Sequence, residues 1–260
     1  MVGDRYQSIY AFRGATNALD TVKADRTFYL TSSFRFGPQV ANVASELLRI
    51  FYQEHRPVVG RGFDTQLGTI EDDHKYAALC RTNSEVFSRA AMAIREQKST
   101  AFVGGVKSYN FDKILDAYHM SIQEQHLVRD PFIRSMGSFA ALEQYAMDSG
   151  DPDSKRLVKV VHEHGHAIPG LVKTIYEKSI PDIHSADRVF STGHKAKGLD
   201  IKHVVLAEDY KPIMDNNQPI LDKNELPLQE VNLTYVSLTR AVERLQLNQT
   251  LSQFMQWVDF

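Results

Sequence analysis

A polar loop between two apolar runs concentrates side chains that can bind anions and exchange protons. The stretch VFSTGHKAKGLDIKHVVL, residues 189–206, has a central loop that carries His194, Lys195, Lys197, Gly198 and Asp200. Both flanking runs are rich in β-branched residues and are typical of buried parallel strands. Because α/β proteins bind ligands at loops that follow strands, the pattern favours a functional loop. The alternative is an ordinary surface turn, where lysine and glycine are common.

Residues 3–15, GDRYQSIYAFRGA, combine a neutral amide with aromatic rings and a guanidinium group. Gln7 can both donate and accept hydrogen bonds. Tyr10 and Phe12 lie two positions apart, and Arg13 follows directly. Aromatic rings beside an arginine can stack on unpaired bases, each stack contributing about 1–3 kcal/mol. The alternative is a pair of core aromatics, which their polar and glycine-rich neighbours disfavour.

A second aromatic–arginine pair, Phe34 and Arg35, precedes a predicted helix that begins at Pro38. A flat ring can stack on a nucleotide base while the guanidinium pairs with a phosphate. One core phenylalanine and one solvated arginine are the alternative. Farther along, the apolar residues of 231–245 recur at helical spacing, which predicts a helix that carries Arg240.

The elements around these residues predict an α/β fold. Residues 76–80 and 100–103 have the composition of strands, and a helix between them begins with the capping pair Thr82 and Glu85. Strand, helix and strand at this spacing indicate a parallel sheet. From about residue 108 to residue 186 the apolar residues take helical spacing, which predicts a helical insertion in the sheet domain.

The composition is that of an ordinary globular chain of one large domain or two smaller ones: 260 residues, 43% hydrophobic and 24% charged. The formal net charge of −2 supplies no global basic field. Any nucleic-acid contact must therefore come from locally grouped arginine and lysine side chains. The single cysteine, Cys80, excludes an internal disulfide framework. No apolar run approaches the roughly 20 residues of a membrane span, so we expect no membrane partner.

Three alternating histidines, His162, His164 and His166, raise the question of a metal site. The run ends a predicted helix, in which alternate residues do not share a face. No cysteine or carboxylate cluster nearby in the sequence completes a coordination set. We therefore predict a solvated helix end and no metal site.

Four stretches resemble the third to sixth motifs of UvrD-like superfamily 1 helicases and occur in the same order. They are GDRYQSIYAFRGA, SSFRF, STGHKAKGLD and LTYVSLTRA. The likeness extends furthest to the F-box DNA helicase branch, through SFRFGPQVANV, CRTNSEVF, GGVKSYNFDKILDAY and DPFIR, and covers nearly the whole chain. It implies an α/β, RecA-like (P-loop NTPase-type) parallel sheet with a helical insertion. It also implies an ATP-dependent DNA helicase. No F-box is among the matching stretches, so ubiquitin-ligase function is not inferred.

The resemblance implies a set of residues that bind ATP. Gln7 would contact the γ-phosphate and the attacking water, and Phe34 would stack on adenine. Arg35 and Arg240 would reach the γ-phosphate as arginine fingers. Together with Gln7 they would form the catalytic set. Asp200 stands where the family usually has glutamate, and it would bind the ribose hydroxyl through a shorter side chain.

The resemblance also implies a path for single-stranded DNA. Tyr10, Phe12 and Arg13 would hold the strand. His194 and Lys197 would face its backbone or link it to the nucleotide.

The sequence contains no G-x-x-x-x-G-K-[ST] phosphate loop and no Asp-Glu pair before Gly3. In the family these residues, with the ligands of Mg²⁺, belong to the first RecA-like domain. We therefore expect residues 1–24 to be the tail of that domain and a linker. Residues 25–107 and 186–260 would form the second RecA-like domain, and 108–185 the helical insertion. The missing N-terminal RecA-like domain would be a partner, and this chain alone would not hydrolyse ATP.

The parent protein is expected to translocate 3′→5′ on single-stranded DNA in replication, recombination or repair. It would be cytoplasmic in a bacterium and nuclear in a eukaryote. Val231 and Asn232 replace the arginine pair common in bacterial members, so the ion pairs made there do not carry over. The competing hypothesis is a non-catalytic module that binds single strands or a partner protein.

Overall fold

The computed structural model describes residues 2–10, 14, 19, 21 and 23–259. The predictions for Phe12 and Arg13 lie outside the described residues. Along the chain the strands are β1 Ser32–Ser33, β2 Val59–Gly60, β3 Gln66–Leu67, β4 Tyr76–Cys80, β5 Thr100–Phe102, β6 Arg188–Thr192, β7 Ile201–Leu206, β8 Met214–Asp215, β9 Gln218–Pro219 and β10 Ala241–Gln246. The helices are α1 Pro38–Tyr52, α2 Asn83–Arg95, α3 Asp112–Ser121, α4 Pro131–Met136, α5 Phe139–Ser149, α6 Pro152–His164, α7 Ile168–Lys178, α8 Gly193–Ala196, α9 Leu228–Leu238 and α10 Gln249–Val258. None of the helices in these ranges is long and apolar enough to cross a membrane.

The chain divides into two compact units. Unit 1 comprises Met1–Leu79 and Ala196–Phe260, and unit 2 comprises Cys80–Lys195. Residues 108–185, the predicted helical insertion, all belong to unit 2.

Unit 1 is built on four parallel strands in the order β3, β10, β7, β4. In the register of the central pairs, Arg244 lies beside Gln66 and His203, and Ala78 lies beside Val205. The apolar runs that form β4 and β7 are largely buried, as expected for strands covered on both faces. Helices α1 and α9 contribute to the same hydrophobic core. This arrangement, with a parallel pair in unit 2, confirms the predicted α/β class.

The boundary between α9 and β10 corrects one prediction. The helical pattern of 231–245 predicted a single helix, but α9 ends at Leu238 and β10 begins at Ala241. The backbone N–H of Thr239 donates to Tyr235 O, and that of Arg240 donates to Ser237 O, which closes the helix. Pairing with β7 buries Ala241 and Leu245 of β10, and this tertiary gain outweighs the local periodicity. Arg240 therefore lies in the turn between a helix and a strand.

Unit 2 contains a parallel pair of strands and a group of helices. Strand β5 pairs with β6, so that Phe102 lies beside Phe190. The hydroxyl of Tyr109 donates to the carbonyls of Val103 and Phe190 at 2.8 and 3.2 Å, which ties the segment after β5 to β6. Phe111 packs edge-on against a ring of α2, Phe87, at 5.6 Å between centroids. Aromatic rings from β5, β6, α2 and the segment after β5 therefore pack against one another in this unit.

The N-cap of α2 gives a direct test of the predicted helix start. The Thr82 hydroxyl accepts the backbone N–H of Glu85 at 3.1 Å, as the capping pattern predicted. Thr82→Ala removes this acceptor from a buried helix end and should lower the free energy of unfolding by about 1 kcal/mol. Urea unfolding followed by circular dichroism measures the loss. Thr82→Ser keeps the acceptor and should recover most of it; an equal loss in both variants would contradict the capping role.

The three alternating histidines have separate partners within unit 2. His162 Nε2 lies 2.6 Å from a carboxylate oxygen of Glu143. His164 Nε2 lies 3.2 Å from the hydroxyl of Ser88, and His166 Nδ1 lies 3.0 Å from the hydroxyl of Tyr118. Across the described part of the chain, no group of three or more potential ligand side chains could hold a metal ion.

Candidate functional site

Arg240 is the most deeply placed charged group of the candidate site. Its side chain is buried, with 1% of the residue exposed. Nε donates to Val236 O at 2.7 Å, Nη2 donates to the Thr239 hydroxyl at 3.0 Å, and Nη1 donates to Leu199 O at 3.4 Å. These oxygens are neutral, so they orient the guanidinium without cancelling its charge. Burial, followed by the positive charge of Arg35, lowers the pKa of Arg240 to about 10, which leaves it protonated at neutral pH.

Arg35 belongs to the same constellation. Its charge acts on Arg240, and its Nε donates to the carboxylate of Asp200. The negative charge of Asp200 in turn raises the pKa of Arg240 and partly offsets the burial. The two arginines and Asp200 therefore lie within electrostatic reach of one another. Such a pair of cations favours an anion that can accept from both.

The loop that carries Phe34 and Arg35 is held by a close backbone approach. The N–H of Gly62 donates to Phe36 O at 3.0 Å, and that of Arg61 donates to Ser33 O at 2.7 Å. A Cβ at Gly62 would lie 2.6 Å from Phe34 O, so only glycine fits there. This support leaves the Phe34 ring 77% exposed, with a face open for stacking.

Gln7 joins the site through Asp4 and Tyr235. Gln7 Nε2 donates to Asp4 Oδ2 at 3.0 Å, and the Tyr235 hydroxyl donates to the same oxygen at 3.3 Å. Burial, followed by the charge of Asp4, raises the pKa of Tyr235, so its hydroxyl stays protonated and can donate. Asp4 also accepts the N–H of Tyr6 at 2.9 Å and caps the turn that presents Gln7. Asp4 and Tyr235 also influence the pKa of Arg240, so they connect Gln7 to this arginine.

Lys197 contacts both Gln7, which is predicted to bind the nucleotide, and Tyr10, which is predicted to bind DNA. Its Nζ donates to the backbone carbonyl of Gln7 at 2.8 Å and lies 5.6 Å from the centroid of the Tyr10 ring. The same ammonium group thus contacts the segment that carries both Gln7 and Tyr10. His194 lies in unit 2, half-buried, in the first residues after β6.

The structure brings most of the predicted residues into unit 1. Those placed in one constellation are Gln7, Tyr10, Arg35, Lys197, Asp200 and Arg240. Asp4, Tyr235, Gln229 and Asn232 also contribute to it, and sequence reasoning gave them no role. Polar side chains at the buried positions of a mostly apolar helix were the available signal for Asn232.

Glu54 connects the candidate site, through Tyr6, to a pH-dependent ion pair with Arg56. Hydrogen bonds from Arg56, at 2.8 and 2.6 Å, are the main cause that lowers the pKa of Glu54 to about 2. The Tyr6 hydroxyl donates to Glu54 at 2.7 Å, and burial is the first cause that raises the pKa of Tyr6 to about 12.

The lowered pKa of Glu54 predicts how the free energy of unfolding depends on pH. A carboxylate whose pKa is lower in the folded state than in the unfolded state stabilises the fold at pH values above the unfolded pKa. It loses this contribution as the pH falls through the folded pKa. Wild-type stability should therefore drop between pH 4.5 and about 2, and Glu54→Gln should remove that part of the drop. Tyr6→Phe should retain most of it, because Arg56 is the larger cause. Urea unfolding at several pH values checks this; identical profiles for wild type and Glu54→Gln would contradict it.

Comparison with known proteins supports the resemblance along the chain. The chain is 33% identical over 273 residues to F-box DNA helicase 1 of Gallus gallus, which covers 98% of this chain and 27% of that protein. It is 23% identical over 286 residues to F-box DNA helicase protein 1 of Schizosaccharomyces pombe, covering 97% of this chain and 31% of that protein. No protein-family model matches the chain. The predicted resemblance is confirmed: this chain is a sequence relative of the F-box DNA helicases over almost its whole length, and it spans less than a third of theirs.

Proposed function

We propose that this chain is the C-terminal half of an ATP-dependent helicase motor that moves 3′→5′ along single-stranded DNA in replication, recombination or repair. The observation that carries the proposal is that Arg35 and Arg240, which are far apart along the chain, hydrogen-bond to the adjacent residues Asp200 and Leu199 and influence each other's charge. Two guanidinium groups held near one another gain most from an anion with several acceptor oxygens. The terminal phosphate of a nucleoside triphosphate is such an anion.

The residues present fit one side of an ATP site. Arg35 and Arg240 would bind the γ-phosphate, Gln7 would orient the attacking water, and the exposed Phe34 ring would stack on adenine. Asp200 pairs with Arg35 in the structure. When ATP binds, its carboxylate would accept from the ribose hydroxyl, either in place of Arg35 or together with it. When bound, Mg²⁺ would offset phosphate charge. Its ligands and the phosphate loop are proposed to come from a preceding RecA-like domain.

The proposed mechanism is closure of this half onto the preceding one. Closure would bring the arginines against phosphate charge that develops during transfer, and fingers of this kind contribute about 10³–10⁵ in rate. Tyr10 and Lys197 would respond on the DNA side, because Tyr10 lies on the same short segment as Gln7 and Lys197 contacts both residues. ATP turnover would thus be coupled to movement of bases past Tyr10.

Two linked measurements test this proposal. The coding sequence upstream of Met1 is expected to encode a phosphate loop and an Asp-Glu pair in the same reading frame. The purified 260-residue chain should show no ATP turnover, whereas the chain joined to that upstream domain (the two-domain protein) should hydrolyse ATP when single-stranded DNA is added. Turnover by the chain alone would contradict the proposal. A stop codon directly upstream would favour the alternative, a non-catalytic module that binds single strands or a partner protein.

A further inference from the structure

Three consecutive backbone carbonyls near the N-terminus each accept a hydrogen bond from a side chain distant in sequence. One donor follows α8, and the other two lie on α9. The three bonds are Lys197 Nζ to Gln7 O at 2.8 Å, Asn232 Nδ2 to Ser8 O at 3.0 Å and Gln229 Nε2 to Ile9 O at 3.1 Å. We call this set the carbonyl clamp.

Asn232 is the buried member of the carbonyl clamp. Only 5% of the residue is exposed, and its Oδ1 accepts the hydroxyl of Tyr52 at 2.7 Å. Both ends of the amide are therefore paired, which fixes its orientation. Loss of the donor would leave the carbonyl of Ser8 without this partner in a partly buried place, a costly state for a backbone group. Ile9, which is fully buried, anchors the same segment beside α9.

The carbonyl clamp has a consequence that simple packing would not have. It holds the backbone between two side chains with different proposed tasks, Gln7 toward the nucleotide and Tyr10 toward DNA. The helix that supplies two of its donors ends at the turn carrying Arg240. A displacement of α9 would thus move the arginine and the 7–10 segment together.

We infer that Asn232 is a positioning residue that couples the Arg240 turn to Tyr10 by holding the backbone of residues 7–9. The consequence for DNA rests on the proposed function, whereas the hold on the backbone does not. Asn232 takes this role through the two hydrogen bonds of its amide group, to Ser8 O and from Tyr52.

Two variants each remove one hydrogen bond of the carbonyl clamp, one from a buried donor and one from a half-buried donor. Asn232→Asp keeps the size and the acceptor for Tyr52 but cannot donate to Ser8 O. Gln229→Leu removes the half-buried donor to Ile9 O and puts little strain on folding. Thr234→Val is the matched control, because Thr234 lies on the same helix and donates within it, to Glu230 O at 3.0 Å. Each variant is made in the 260-residue chain.

Hydrogen–deuterium exchange of the peptide covering residues 4–10 tests the hold on the backbone. Both clamp variants should raise exchange there by about tenfold, the effect of roughly one lost buried hydrogen bond, with α9 unchanged. Thr234→Val should leave it as in wild type. Unchanged exchange in both clamp variants would overturn the inference, whether or not the chain binds DNA.

Binding of a fluorescein-labelled oligo-dT strand tests the coupling to Tyr10. Asn232→Asp should weaken binding several-fold in the wild-type background and add almost nothing in a Tyr10→Ala background, because the effect passes through Tyr10. Equal losses in the two backgrounds would reduce Asn232 to a general structural role and overturn the coupling. Absence of binding by the wild-type chain would count against the proposed function, and it would remove the coupling to DNA while the exchange result still decides the hold.

Discussion

Replacing Arg240 by lysine is expected to lower ATP turnover of the two-domain protein by about 10³–10⁵-fold, the range known for arginine fingers. The guanidinium makes bonds to Val236 O, the Thr239 hydroxyl and Leu199 O, and these aim its planar fork. A lysine ammonium is a point charge on a flexible stem and cannot keep these bonds while it reaches a phosphate. Steady-state ATPase with saturating single-stranded DNA measures the loss.

Arg244→Lys is the matched control for this substitution. Arg244 lies four residues farther along, half-buried on β10, and has no proposed contact with the nucleotide. Its turnover should stay near the wild-type value. Thermal melting of both variants shows whether Arg240→Lys has lost only chemistry or also the fold. A folded Arg240→Lys protein that retains turnover within tenfold of wild type would remove Arg240 from the proposed catalytic set.

Replacing Tyr10 by leucine is expected to weaken binding of single-stranded DNA by about 5- to 150-fold, since stacking contributes about 1–3 kcal/mol per base. Leucine preserves bulk against the segment but offers no π face. Fluorescence anisotropy with a labelled oligo-dT strand at fixed salt measures the change, because salt alone alters such affinities.

Tyr145→Leu in unit 2 controls for the loss of a partly exposed tyrosine ring elsewhere. Tyr145 packs edge-on against Phe132 at 5.3 Å and has no predicted DNA contact. Its affinity for the strand should match wild type. Equal affinities for Tyr10→Leu and wild type would take Tyr10 off the DNA path.

The residue types of the site could be predicted from the sequence, but the sequence could not show which of these residues lie close together in the fold. Arginine beside a ring at residues 34–35 indicated a nucleotide, and the resemblance extended that to Arg240. Their approach depends on long-range packing that places the loop before α1 near the turn after α9, which local patterns do not encode. The same limit explains why the pattern of residues 231–245 predicts too long a helix: the pairing of β10 with β7 decides where α9 ends.

Asp200 and Asn232 each make a contact in the structure that the sequence does not identify. The ribose contact that the resemblance implies for Asp200 stays a prediction, and the contact that the structure shows for its carboxylate is with Arg35. The sequence alone gives Asn232 no role. Its two hydrogen bonds, to Ser8 O and from Tyr52, became visible only with the buried surroundings of α9. Buried polar groups find partners across the fold, and one sequence does not identify those partners.

The most direct test is how strongly the two-domain protein prefers ATPγS over ADP, measured by competition against a fluorescent nucleotide. Wild type, Arg35→Gln, Arg240→Gln and the double variant are compared at the same Mg²⁺ concentration. If both guanidinium groups bind the terminal phosphate, each single variant should lose about tenfold or more of the preference, and the double variant should lose less than the product of the two. A preference that stays at the wild-type value in both single variants would contradict the account.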